Sequence, residues 1–175
     1  MVEPLEPGDA LGRWIRAGLL TGISDGLFAT VLSIFFYNST AMRLWQGVAS
    51  VPLGKEALNG GVRTEILGML LHFGVAFTWS AVFVFLFTRS RSLRRTAASP
   101  YGVFKIAALY GPFIWLFMSL IVIPLLAHRP PNITTRWWVQ LIGHFPFVGL
   151  PMVASIVRPA AVTPEPAAVG TSPPA

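Results

Sequence analysis

The chain has 175 residues, of which 54% are hydrophobic and only 11% charged, with Lys and Arg outnumbering Asp and Glu by 13 to 7. An average soluble domain carries roughly 25% charged residues, so with a mean hydropathy of +0.64 this surface lacks the polar covering that water demands, and an ordinary soluble enzyme is excluded. Nor does the basic excess point to nucleic acid: the cations punctuate the ends of apolar runs instead of clustering on one face among aromatics. The absence of cysteine also excludes disulfides, iron–sulfur clusters, thiolate metal sites and c-type haem attachment.

In chain order, residues 1–16 form an acidic, proline-containing leader (Glu3, Pro4, Glu6, Pro7, Asp9). Four apolar stretches follow, at about 17–37, 66–87, 106–127 and 138–157, each near the roughly 20 residues that a helix needs to cross about 30 Å of hydrocarbon. Lipid offers no partner to backbone polar groups, so each stretch is predicted as a helix, and barrel-type alternation is absent. The expected fold is all-α, a single four-helix up-down membrane bundle over residues 17–157. The first stretch is longer than a signal-peptide core and carries Asp25 in its middle, so it is expected to be retained. Residues 158–175, rich in Pro and Ala, cannot build a core and are expected to be disordered.

Between the first two stretches lies a long connection, Asn38 to Glu65. Its middle, Met42-Arg43-Leu44-Trp45-Gln46-Gly47-Val48, puts Leu44, Trp45 and Val48 on one helical side, as in a short interfacial helix. A surface-lying connector is the expectation, with a lid over a substrate as the alternative. Pro52-Leu53-Gly54 and Asn59-Gly60-Gly61 are predicted chain breaks. Trp45, Trp137 and Trp138 at one boundary, and Trp14 and Tyr101 at the other, read as interfacial belts. Pro112, Pro124, Pro146 and Pro151 are expected to kink the last two helices.

Lys and Arg set the orientation. Arg13, Arg16, Arg89, Arg91, Arg94, Arg95, Lys105 and Arg158 fall on one side, against Arg43, Lys55, Arg63, Arg129 and Arg136 on the other. The richer side, with its compact Arg89–Lys105 connection, is expected to be cytoplasmic, together with both ends of the chain.

Three intramembrane polar residues stand out. Asp25 lies nine residues past Arg16, roughly 13 Å along a helix and so near mid-membrane, where a carboxylate must be protonated or paired. It is read either as a proton or cation site or as a neutral side chain bonded to Thr21, Ser24 or a neighbouring helix. Gly18, Gly22 and Gly26 form a small-residue row beside it, a helix-packing face that serves the bundle or, equally, a second copy or another membrane subunit. His72 and His144 each lie seven residues into their helices, past Glu65 and Trp137. They are therefore expected at a common depth, where they either bond neighbouring helices or share a haem b or a metal. No catalytic motif occurs, so no catalytic residue is assigned and a non-enzymatic role is expected. The halves also show a weak parallel duplication, Gly22 aligning with Gly111 and His72 with His144.

The segments Gln46-Gly47-Val48-Ala49-Ser50, Gly60-Gly61, Leu67-Gly68-Met69-Leu70-Leu71-His72-Phe73, Tyr110-Gly111, Ile123-Pro124-Leu125, and His144 followed by Val148-Gly149-Leu150-Pro151 resemble a family of small, functionally uncharacterised bacterial inner-membrane proteins with four helices. The pattern departs from that family at Val51-Pro52. The resemblance implies a multi-pass protein of a bacterial plasma membrane and assigns no activity. The functional expectation is a small transport-associated, channel-like or accessory subunit with a polar site at Asp25; the alternative is a redox protein holding haem b or a metal through His72 and His144.

Overall fold

The computed structural model describes residues 7–157; the acidic head before Pro7 and the tail from Arg158 onward lie outside them. Helix α1 covers Pro7–Val31 and runs on through a π turn at Leu32–Phe36. Helix α2 covers Ala41–Leu53, and a 3-10 turn, Lys55–Asn59, leads into α3, Gly61–Arg89. A short α4, Arg91–Ala97, precedes α5, Gly102–Ala127, and α6 spans Thr135–Ile156. No strand occurs among the described residues. Helices α1, α3, α5 and α6 are each long and apolar enough to cross a membrane, and the chain is an all-α, multi-pass membrane protein.

Each long helix extends beyond its apolar run, α1 most of all, starting at Pro7 instead of Ala17. The added starts, of roughly one to three turns, lie outside the stretch that hydropathy marks. Within α1 the two faces separate cleanly. Gly18, Thr21, Gly22 and Gly26 are buried, while Leu19, Leu20, Ile23, Leu27 and Val31 are exposed, Leu27 by 62%. Across the molecule, outward Phe35, Leu109 and Ile142 are each more than two-thirds exposed, a surface fit for lipid and not for water.

Helix α1 packs against α3 and α6, and α5 packs against α6, while aromatic side chains join α5 to α3. The hydroxyl of Tyr110 on α5 donates to the Trp79 carbonyl on α3 at 2.9 Å. Spans two and four are therefore diagonal, as an up-down bundle requires. The tightest crossing is between α5 and α6. A Cβ on Gly111 would fall on the His144 carbonyl, and one on Gly149 would fall on the Ala107 carbonyl. Two backbones meet there because neither glycine carries a side chain.

Two of the three π turns lie beside prolines. A π turn at Met118–Val122 precedes Pro124, and another at Phe145–Gly149 encloses Pro146 and precedes Pro151. A helical proline lacks the amide hydrogen and presses its ring on the carbonyl four residues earlier; widening the turn relieves that contact.

A packed apolar cluster fills the centre of one half of the bundle. Around the Arg89 end of α3, Ala17, Phe83, Phe87, Ala107, Met152 and Ile156 are almost fully buried in one apolar cluster. Basic residues close this end. Arg13 donates to the Ile156 carbonyl at 2.7 Å and to Asp9 at 3.1 Å, and Arg94 donates to the Phe87 and Thr88 carbonyls at 2.9 and 2.8 Å. The last carbonyls of α3 and α6 thus find the donors that helix ends lack. The contact between Arg13 and Ile156 also puts the start of α1 and the end of α6 on one side. The cavity lies toward the opposite half.

Candidate functional site

Helix α2 belongs to that opposite half. Its start is capped by Thr40, whose hydroxyl accepts from the Arg43 amide at 3.1 Å. Its end turns at Gly54, where φ is +79°, a left-handed value that glycine adopts without penalty. Arg43 and Gln46 then tie it to the following connection, donating to the Leu58 and Gly61 carbonyls at 2.9 and 3.2 Å. The short helix expected from the sequence forms, and its Leu44, Trp45 and Val48 side faces the bundle. The backbone of α2 settles on α3 where Gly68 meets the Trp45 carbonyl, and the far edge of the Trp45 indole reaches the space above Gly26 on α1, 3.2 Å from where a Cβ would stand. Trp45 is only 8% exposed. It is an inserted wall residue and not part of an interfacial belt, and Trp137 departs from the belt in the same way, buried with its indole N–H donating to Ser119 at 3.0 Å. Trp138 and Tyr101 remain exposed.

Behind α2 lies a cavity of about 300 Å³ whose wall includes Asp25, His72 and His144 together with Trp45, Trp79 and Trp115. The three polar residues singled out from the sequence thus share one chamber, and the two histidines reach it from diagonal helices. A second cavity of about 280 Å³, carrying Arg129 and Arg136, adjoins the first through Trp115, Ile123 and Gln140.

Hydrogen bonding fixes how the imidazoles present themselves. The Nε2 of His72 stands 3.0 Å from the Gly22 carbonyl oxygen, and the Nδ1 of His144 stands 2.7 Å from the Gln140 carbonyl oxygen. A carbonyl only accepts, so each of these nitrogens carries the hydrogen, and in the neutral ring the other nitrogen is a bare lone pair. For His72 that nitrogen is Nδ1, 3.9 Å from Asp25 Oδ2, with both side chains largely buried. At that distance the two groups face each other without a hydrogen bond.

The pair is incompletely satisfied. No hydrogen bond joins Asp25 to Thr21 or Ser24, contrary to one expectation from sequence. Asp25 Oδ1 and Thr21 Oγ1 are buried with no hydrogen-bond partner among the described residues, as is Trp115 Nε1. Buried polar atoms of this kind are uncommon in folded proteins.

The glycine row is filled from within the chain. Gly18 faces the ring of Phe77, Gly22 the ring of Phe73 and Gly26 the ring of Trp45. Small residues on α1 serve here as sockets for aromatic rings and not as a seam of backbone contact. A second copy or another subunit using Gly18, Gly22 and Gly26 would meet those rings first. Backbone contact occurs instead at Gly68, Gly111 and Gly149. Both halves nevertheless bring an aligned pair together. His72 bonds the Gly22 carbonyl, and the His144 carbonyl covers Gly111, so the two halves use matching positions in different ways.

Each imidazole commits one nitrogen to a backbone carbonyl, which leaves His72 Nδ1, facing Asp25 at 3.9 Å, and His144 Nε2 as the nitrogens that could hold a haem or a metal. No group of three or more His, Asp or Glu side chains spaced for a metal ion occurs among the described residues.

Residues that sequence reading did not assign to the site are Trp45, Trp79, Trp115 and Gln140. Only Trp45 carried a signal, its place on the apolar side of a predicted short helix. Fold and chamber together define a helical multi-pass membrane protein with a mainly apolar cavity that Asp25, His72 and His144 share. No protein-family model, curated protein or solved structure matches the chain.

Proposed function

We propose that this chain is a small, non-enzymatic protein of a bacterial inner membrane, transport-associated or channel-like or the accessory subunit of such a system, with Asp25 at its polar centre. The observation that carries this reading is the meeting of Asp25, His72 and His144 in one cavity within an otherwise apolar bundle. An intramembrane carboxylate is costly to keep, and such residues characteristically line the paths of protons, ions or substrates. The carboxylate–imidazole pair is suited to taking up and passing on a single proton. The bacterial inner membrane is supported by the resemblance at Leu67–Phe73 and Val148–Pro151 and by the excess of basic residues on one side.

Purified protein in liposomes loaded with a pH-sensitive dye tests the reading. Under an imposed potassium diffusion potential, the wild type is expected to move protons faster than protein-free vesicles, and Asp25→Asn is expected to return the rate to theirs. A wild-type rate equal to that of empty vesicles, or an unchanged rate in Asp25→Asn, would remove Asp25 from any transport role.

A further inference from the structure

The chamber has a more specific chemistry than a proton site requires. We infer that it is a binding site for a small organic monocation, an ammonium carrying one ring or a short alkyl body, with Asp25 as its counter-ion and Trp45, Trp79 and Trp115 as its walls. The inference rests on the reading of Asp25 as the polar centre of the bundle and adds a ligand class to it.

Three observations lead to the class. First, Asp25, Thr21, His72 and His144 line the chamber and bring acceptors to it. Asp25 Oδ1 and Thr21 Oγ1 are buried without partners, Thr21 being only 2% exposed, and both imidazoles spend their hydrogens on backbone carbonyls, leaving lone pairs. An anion would meet a carboxylate and two bare nitrogens, whereas a cation meets acceptors. Second, the walls are indole rings held in place by other rings. Trp79 meets Phe113 and Phe117 edge-on at 5.9 and 5.4 Å, Trp45 meets His72 at 5.2 Å, and Trp115 lies 4.8 Å from His144. Indole is the strongest cation–π surface among the side chains, and a ring already fixed by its neighbours loses little freedom on binding. Third, the oxygen count excludes a hard metal ion. Calcium takes about six to eight oxygens and magnesium a near-ideal octahedron, while the side chains of Asp25, Thr21 and Gln140 together offer four. The chamber's 300 Å³ or so sits at the small end of ligand pockets, which limits the body to about one ring. The unpaired Trp115 N–H is a donor that an oxygen on the ligand would complete.

The test is equilibrium binding to the full chain in detergent, followed by tryptophan fluorescence, with three probes of similar size: phenyltrimethylammonium, benzyl alcohol and benzenesulfonate. The permanent cation is expected to bind saturably, about tenfold or more tighter than the neutral probe, with the anion weakest. Asp25→Asn, nearly the same shape, is expected to bring the cation down to the level of the alcohol. The comparison among probes on the wild type needs no variant and stands even if Asp25→Asn fails to fold. No saturable binding of the cation, equal binding of all three probes, or a cation affinity unchanged in a folded Asp25→Asn protein would each overturn the inference. Cation binding without proton movement in liposomes would uphold it and remove the transport reading, and proton movement without cation binding would do the reverse.

Discussion

Asp25 and His72 hold the most consequential contact in the molecule. They stand 3.9 Å apart on facing helices, and both are largely buried. Removing one partner of such a pair strands the other in a low-dielectric setting, which typically costs more than removing both. His72→Ala is therefore expected to be less stable than the double variant Asp25→Asn with His72→Ala. The coupling between the two sites should be about 1 kcal/mol or more, since residues in direct contact couple by roughly 0.5–3 kcal/mol. Unfolding of the four proteins of this cycle by SDS titration in mixed micelles measures it, and additive effects would show that the pair does not interact. Asp25 was legible from sequence because a lone acid in an apolar run has no innocuous explanation. Its partner was not. Whether a histidine faces another helix's carboxylate or a lipid tail depends on the rotation of α3 about its axis, and α3 is apolar on every side, so its sequence carries no strong facial signal.

The elements are held by glycines of different kinds, and substitution should separate them. A Cβ at Gly111 would strike the backbone carbonyl of His144, whereas Gly74, exposed midway along α3, has no atom within 4 Å of where a Cβ would stand. Gly111→Ala is expected to lower stability by about 1–3 kcal/mol, the cost of forcing packed elements apart. Gly74→Ala is expected to raise it by roughly 0.5–1 kcal/mol through the better helix propensity of alanine. Thermal unfolding of both variants in one detergent decides the matter, and a Gly111→Ala protein as stable as the wild type would contradict the close crossing. Gly68→Val should act on a different element. It meets the Trp45 carbonyl, so it is expected to lift α2 from α3 and make the Trp45 indole more accessible to an aqueous quencher. The helices themselves were readable, because lipid accepts only internally bonded backbone and the apolar runs have the required length. The crossings were not: the row Gly18, Gly22, Gly26 is conspicuous in sequence yet receives side chains, while Gly111 and Gly149 are isolated glycines that receive backbone. Spacing reveals that a helix has a smooth face, but the partner that fills it is set by tertiary structure.

At the scale of the whole molecule, packing and charge are distributed unevenly between the two ends of the bundle. The apolar cluster around Phe83, Phe87, Met152 and Ile156 and the capping by Arg13 and Arg94 seal one side, and the chamber lies toward the other, behind α2. The side richer in Lys and Arg is also the sealed side, so the positive-inside tendency orients the chamber toward the exterior. Ligand or protons would then reach Asp25 from outside the cell, by way of the outer connections, and would meet the packed cluster before the cytoplasm. The absence of cysteine makes this orientation directly testable with single introduced thiols. Ser92 on α4 and Asn132 in the connection before α6 are both exposed and belong to opposite sides of the bundle. In intact cells, a membrane-impermeant maleimide is expected to label Asn132→Cys, and to label Ser92→Cys only after the membrane is broken. The reverse pattern would turn the chamber toward the cytoplasm and make the capped, basic end the outer one.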